Sequence, residues 1–122
     1  MLSIVIVEDN AEYAEMLTHF LRLGLHEPHD CTCLPTIAAA LAHLRDHPAQ
    51  LIILDLGLPD AAGLSGVRQV HAAYRETPIL VITGHIDGAL ARAVEAIGPG
   101  ITFRSKDDIQ LASFGMVVRE LL

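Results

Sequence analysis

A chain of 122 residues with a net charge of −7, 52% hydrophobic and only 4% aromatic residues and a mean hydropathy of +0.43 has the length of one domain, with a core of Leu, Ile, Val and Ala. That composition argues against disorder, and without a basic run the chain lacks the electrostatic footprint of a nucleic-acid binder. No apolar run approaches membrane-spanning length, and residues 1–7 lack the basic start and long apolar stretch of a signal peptide.

Short β-branched runs alternate with helical periodicity along the chain. Residues 3–7 read as a buried strand, and residues 10–23 as a helix with Tyr13, Leu17, Phe20 and Leu21 on one face, ended by Gly24. Residues 28–33 read as an edge strand, because Pro28 cannot donate to a ladder. Cys31 and Cys33 are too close along a strand for an unstrained bridge. As free thiols they suit a reducing, cytoplasmic compartment. His29, Cys31 and Cys33 alternate onto one face, which reads as an edge with small thiols and a surface imidazole rather than a soft-metal site. None of the seven histidines is read as having zinc-type spacing.

Residues 35–45 follow as a helix opened by Pro35, with Ile37, Leu41 and Leu44 inward. Residues 51–54 form the second clear buried strand, with Asp55 at its C-terminal end. Residues 56–63 are a loop marked by Pro59, Asp60 and Gly63. Residues 64–74 are helical, and His71 shares their stripe with Val67 and Tyr74 as a packed or boundary histidine. Residues 79–82 form a strand ending at Thr83 and Gly84. Leu90, Ala93, Val94 and Ile97 mark the next helix. Residues 101–104 are the last strand, Lys106 lies just past it, and residues 108–122 are the final helix with Asp108 as N-cap. There Leu111, Phe114, Val118 and Leu121 form the core stripe. Ile109, Met116 and Val117 lie off it, an apolar excess that suggests an interface.

Five repeats of strand then helix imply a parallel sheet covered on both faces, with ligands beyond the C-terminal strand ends. Glu8 and Asp9 end the first strand, Asp55 the third and Thr83 the fourth, with Lys106 past the fifth. All five therefore project at one edge. Three clustered carboxylates repel one another unless a cation intervenes, and a hard divalent ion, Mg2+ (or Mn2+), takes carboxylates together with a phosphate oxygen. Lys106 is a compact charge for a phosphoryl oxygen and Thr83 a hydrogen-bond donor. Asp55 is then the natural nucleophile, since carboxylates form aspartyl phosphates. Singly, each residue has a plainer reading as a helix-capping acid, a loop start, a strand end or a solvated lysine. Jointly they favour phosphoryl transfer.

With IVIVEDN (residues 4–10), LIILDLGLPDAAG (51–63), PILVITG (78–84) and FRSK (103–106), the chain resembles, over essentially its whole length, the receiver domains of bacterial two-component response regulators. The resemblance implies one domain over residues 1–122, a flavodoxin-like doubly wound α/β fold with strand order 2-1-3-4-5. It implies a signalling domain rather than an enzyme in the ordinary sense, one that catalyses its own phosphoryl transfer and slow autodephosphorylation. By the resemblance, Asp55 is the phosphorylated aspartate, Asp9 the direct metal ligand, Glu8 the acid acting through water, and the Gly57 backbone carbonyl completes the metal site. Thr83 corresponds to the switch hydroxyl, Lys106 to the phosphoryl-binding lysine and Phe103 to the aromatic that rotates inward. The implied phosphodonor is a histidine kinase or phosphotransfer protein. The implied readout is the face of the last two helices and last strand, toward an output domain or a second copy. Neither direct nucleic-acid binding nor a membrane is expected.

The chain departs from the family pattern in places. Asp107 follows Lys106 where many members have proline, and residues 98–102 (GPGIT) are unusual. Gly57 and His85 occupy the two positions that tune phosphoryl lifetime. Rival readings are a degenerate receiver acting as a phosphorylation-independent binding module, a haloacid-dehalogenase-type phosphatase and a flavin binder. Against the phosphatase, no Asp stands two after Asp9 or Asp55. Against the flavin binder, Glu8-Asp9-Asn10 replaces a Ser/Thr/Gly-rich phosphate loop.

Overall fold

The computed structural model describes residues 1–84 and 88–122. In chain order its first half holds β1 (Leu2–Val7), α1 (Ala11–Gly24), β2 (His29–Leu34), α2 (Ile37–Asp46) and β3 (Leu51–Asp55). A short pair, β4 (Gly57–Leu58) and β5 (Ala61–Ala62), leads to α3 (Ser65–Ala73) and β6 (Ile79–Thr83). Then come α4 (Gly88–Glu95), β7 (Ile101–Ser105), a 3-10 turn (Lys106–Asp108) and α5 (Leu111–Leu121). The main sheet is parallel in the order β2-β1-β3-β6-β7. With β4 and β5 set aside, this is the expected 2-1-3-4-5.

Alternation along the strands divides the core in two. Val5, Val7, Ile52, Leu54 and Val81 face α2, α3 and α4 through Ile37, Ala40, Leu44, Val67, Val70 and Val94. Ile4, Ile6, Leu51, Ile53, Leu80 and Ile82 face α1 and α5 through Leu17, Leu21, Phe114 and Val118. β3 is buried at every position, as a central parallel strand must be. β2 pairs only with β1 and is the edge that Pro28 announced.

Several local expectations change. α2 does not open on Pro35: Thr36 is the N-cap, and its side chain accepts from the Ala39 N–H. The two donors before it go across the chain, Ile37 N–H to Asp60 Oδ1 and Ala38 N–H to Asp60 Oδ2, both at 3.0 Å. A side chain from the loop after β3 therefore satisfies a helix N-terminus that its own sequence left open. These two N–H groups hold the Asp60 carboxyl below its ordinary range. On α2 Ala40 joins Ile37 and Leu44 in full burial, while Leu41 faces the same core half-buried. Residues 56–63 are more than a loop, because β4 and β5 pair antiparallel within them. Gly63 closes the segment at φ +61, a left-handed conformation that glycine adopts freely. α4 ends at Glu95, before Ile97.

At the C-terminus Asp108 does not cap the last helix. Residues 106–108 form the 3-10 turn, capped by Ser105 Oγ accepting from the Asp107 N–H, and α5 starts after Gln110. Ile109, placed off the core stripe by periodicity, is buried, whereas Leu111, placed on it, is 46% exposed. Phe114 and Val118 keep the expected stripe, and the 3-10 turn only moves the helix start to Leu111. α1 and α5 meet where Gly24 and Gly115 touch backbone to backbone: a Cβ added at Gly115 would lie 2.5 Å from the Gly24 carbonyl. The His43 and His47 rings stack at 4.7 Å, one turn apart at the end of α2, a spacing the sequence reading passed over.

Candidate functional site

The C-terminal strand ends carry the polar residues. β1 ends at Val7, and Glu8 continues it by donating its N–H to the Leu34 carbonyl at 3.0 Å. Asn10 caps α1, its Oδ1 accepting from the Tyr13 N–H at 3.1 Å, while its own N–H donates to Glu8 Oε1 at 3.1 Å. This tight strand-to-helix turn holds Glu8 inward. Asp55 is the last residue of β3, and both acids are buried, Glu8 4% and Asp55 6% exposed. A carboxylate oxygen from each of Glu8, Asp9 and Asp55 lies within 4.8 Å of the others.

Lys106 reaches this cluster from the 3-10 turn. Its Nζ lies 3.1 Å from Glu8 Oε2, as an ion pair rather than a well-aligned hydrogen bond, and 3.7 Å from Asp55 Oδ2. Burial holds the Glu8 carboxyl above its ordinary range. The Asn10 N–H and Lys106 pull it partly back, and the neighbouring Asp55 pushes it up. One ammonium against three carboxylates leaves a net negative, all-oxygen pocket. That donor set fits a hard divalent cation such as Mg2+ better than a thiophilic one.

Thr83 closes β6, half-buried and in register with Ser105 on β7. Gly57 follows Asp55 closely: a Cβ there would stand 3.5 Å from Asp55 Oδ2, in ordinary contact with the carboxylate. Phe103 is 8% exposed and packed in the core beside α4. His85 lies outside the described residues. The structure thus brings Glu8, Asp9, Asp55 and Lys106 into one cluster and places Phe103 in the adjoining core.

Sequence reasoning missed one member. Tyr13, assigned to the core face of α1, lies under Lys106 with the ammonium 4.2 Å from its ring centroid. Its position one turn beyond Asp9 was the available signal. A cavity of about 860 Å3 between α3 and the end of α4 carries none of these residues. A smaller cleft of about 270 Å3 is lined by Glu8 and Asp9 of the cluster.

The family model of the response regulator receiver domain matches residues 4–102. The virulence transcriptional regulatory protein PhoP of Salmonella typhimurium is 34% identical over 84 residues, which cover 68% of this chain and 36% of PhoP. The regulatory protein LuxO of Vibrio vulnificus is 35% identical over 95 residues, covering 77% of this chain and 20% of LuxO. The chain therefore spans between a fifth and about a third of the length of these curated relatives. The signal receiver domain of a Luxo repressor protein from Vibrio parahaemolyticus superposes with a TM-score of 0.85 at 25% identity, covering 98% of this chain and 88% of that one. The chemotaxis response regulator CheY4 of Vibrio cholerae gives 0.83 at 21% identity, covering 100% and 99%, and shares the fold.

Proposed function

This chain belongs to the response regulator receiver family, and from that premise we propose that it accepts a phosphoryl group on Asp55 with a divalent cation held at Glu8, Asp9, Asp55 and the Gly57 carbonyl. The observation that carries this reading is the convergence of the three carboxylates around a buried Asp55, with Lys106 as their counter-charge.

An Asp55 carboxylate oxygen attacks the phosphorus of a phosphohistidine on a histidine kinase or phosphotransfer protein. The P–N bond breaks, its electron pair leaves with the imidazole, and an acyl phosphate forms. Mg2+ (or Mn2+), when bound, neutralises charge on the phosphoryl oxygens. Lys106 exchanges its carboxylate partners for one such oxygen, and Thr83 donates a hydrogen bond to another. Phosphorylation shifts a two-state equilibrium in which Thr83 and Phe103 are the switch residues, read out on α4, β7 and α5 by an output domain or a second copy. Water later hydrolyses the acyl phosphate, and Gly57 leaves the group open to it. A reducing, cytoplasmic setting fits the free Cys31 and Cys33.

The test is intact-protein mass spectrometry after treatment with acetyl phosphate, with and without Mg2+, on wild type and Asp55→Asn. A Mg2+-dependent, base-labile adduct absent from the variant is expected. An equal adduct on the variant would assign the acceptor elsewhere. No adduct on folded, Mg2+-binding wild type would favour a module that signals by binding alone.

A further inference from the structure

Among the described residues Lys106 has three attractions in the resting site, and two are carboxylates: the third is the face of the Tyr13 ring, 4.2 Å from Nζ. An ammonium within about 6 Å of a ring centroid is drawn to the negative face of the π system. The ring is half-buried, and Lys106 is only 24% exposed, so water screens this contact incompletely. The Tyr13 hydroxyl is buried with no hydrogen-bond partner among the described residues. Packing and the cation contact therefore fix the ring, not the hydroxyl. Burial, then Glu8, Asp55 and Asp107, push the phenol up to about 12, so it stays neutral beside the acids.

We propose that Tyr13 is a positioning residue whose ring sets the resting place of the Lys106 ammonium, and so how strongly that lysine competes with a divalent cation for Glu8 and Asp55. The inference rests on the reading of Glu8, Asp9 and Asp55 as a cation site. A fourth carboxylate would hold Lys106 too, but would also bind the cation. An aromatic face attracts the ammonium without entering that competition on the cation's side. When a cation claims the carboxylates, the ring contact persists and keeps Lys106 beside Asp55. The ring therefore has two opposed effects: it weakens cation binding in the resting site, and it speeds phosphoryl uptake once the cation is bound. A ring that only filled space would produce no such split.

The experiment compares wild type, Tyr13→Phe, Tyr13→Leu and Tyr13→Met by calorimetric titration with Mg2+ and by the rate of phosphorylation from acetyl phosphate at saturating Mg2+. Folding of each variant is verified by circular dichroism, and Met, a flexible gap-filler, serves should Leu pack badly. Loss of the ring is expected to tighten Mg2+ about 2- to 5-fold and to slow phosphorylation by a similar factor. Tyr13→Phe, which keeps the ring, stays at wild type in both. In a Lys106→Ala background the change in Mg2+ affinity on losing the ring vanishes. Unchanged or weaker Mg2+ binding in both non-aromatic variants, or a gain that survives Lys106→Ala, overturns the proposal while leaving the cation site intact. A wild type that binds no Mg2+ overturns the site reading and this inference together.

Discussion

The two helix pairs of this domain meet in opposite ways. α1 and α5 close on each other through Gly24 and Gly115, with Leu17, Leu21, Phe114 and Val118 filling the layer between them and the sheet. α3 and the end of α4 instead leave an open groove of about 860 Å3 lined by Arg68, His71, Arg75, Ala93 and Pro99, among others. Each side has one glycine that a methyl group would overfill. At Gly115 the obstacle is the Gly24 carbonyl at 2.5 Å, and at Gly98 it is His71 Nε2 at 2.3 Å. The distances are nearly equal but the obstacles are not. Backbone can yield only if a helix moves, whereas an imidazole beside an open groove can swing away. The closed pair supports α1, which begins two residues after Asp9 and carries Tyr13 in its first turn. The open pair leaves α4 room to shift, which the proposed two-state switch would use.

Substitution at the two glycines tests that contrast most directly. Gly115→Val should cost about 3 kcal/mol by forcing α1 and α5 apart, read as a lowered Tm in thermal denaturation. Gly98→Ala should cost about 1 kcal/mol or less, and His71→Ala added to it should recover most of the loss. Equal costs at the two positions would mean that the helix pairs are alike in rigidity.

Smaller effects probe the closed side. Tyr13→Phe removes a buried hydroxyl with no partner among the described residues and should raise stability by up to about 1 kcal/mol in chemical denaturation. Glu8 should give a pH signature in metal-free buffer. Its carboxyl is raised in the fold from an ordinary 4.5, so between that pH and its folded value the folded chain binds more protons than the unfolded one. Its contribution is therefore fully present below 4.5 and is lost as pH rises through the folded value. The difference in stability between wild type and Glu8→Gln, followed against pH, should show that fall. The least effect is one of reactivity alone. Burial, then Cys33 and Asp30, push the Cys31 thiol up to about 11, while Cys33 is exposed, so iodoacetamide at pH 8 should label Cys33 first in a mass-spectrometric time course.

What could be read from the chain follows the range of the forces involved. Strands such as β3 and β6 were legible because burial on both faces demands an unbroken apolar run. Glu8, Asp9, Asp55 and Thr83 were legible because parallel strands deliver their ends to one edge. Contacts between distant segments left almost no local trace. Nothing around Gly115 announces a partner near Gly24, and nothing around Asp60 announces the start of α2. Tyr13 looked like core because its i+4 spacing to Leu17 is that of a packed stripe, and only the arrival of Lys106 from the far end of the chain gives it a second role. The α5 stripe held at Phe114 and Val118, and only its start was misread, because the 3-10 turn capped by Ser105 puts Ile109 ahead of the helix and leaves Leu111 as its first, exposed residue.

The Asp60 tether makes part of the loop after Asp55 observable from elsewhere. Amides in the first turn of a helix ordinarily trade their protons with water quickly, for want of a partner. Ile37 and Ala38 bond instead to a carboxylate that follows Asp55 by five residues. Their deuterium uptake therefore clocks how often the loop lets go, without a probe at the reacting carboxylate. Asp60 is depressed in the fold, so this latch holds above its ordinary 3.8 and releases as pH falls through the lower folded value. Two peptide protons on a neighbouring helix thereby keep time for the segment where the chemistry is proposed to occur.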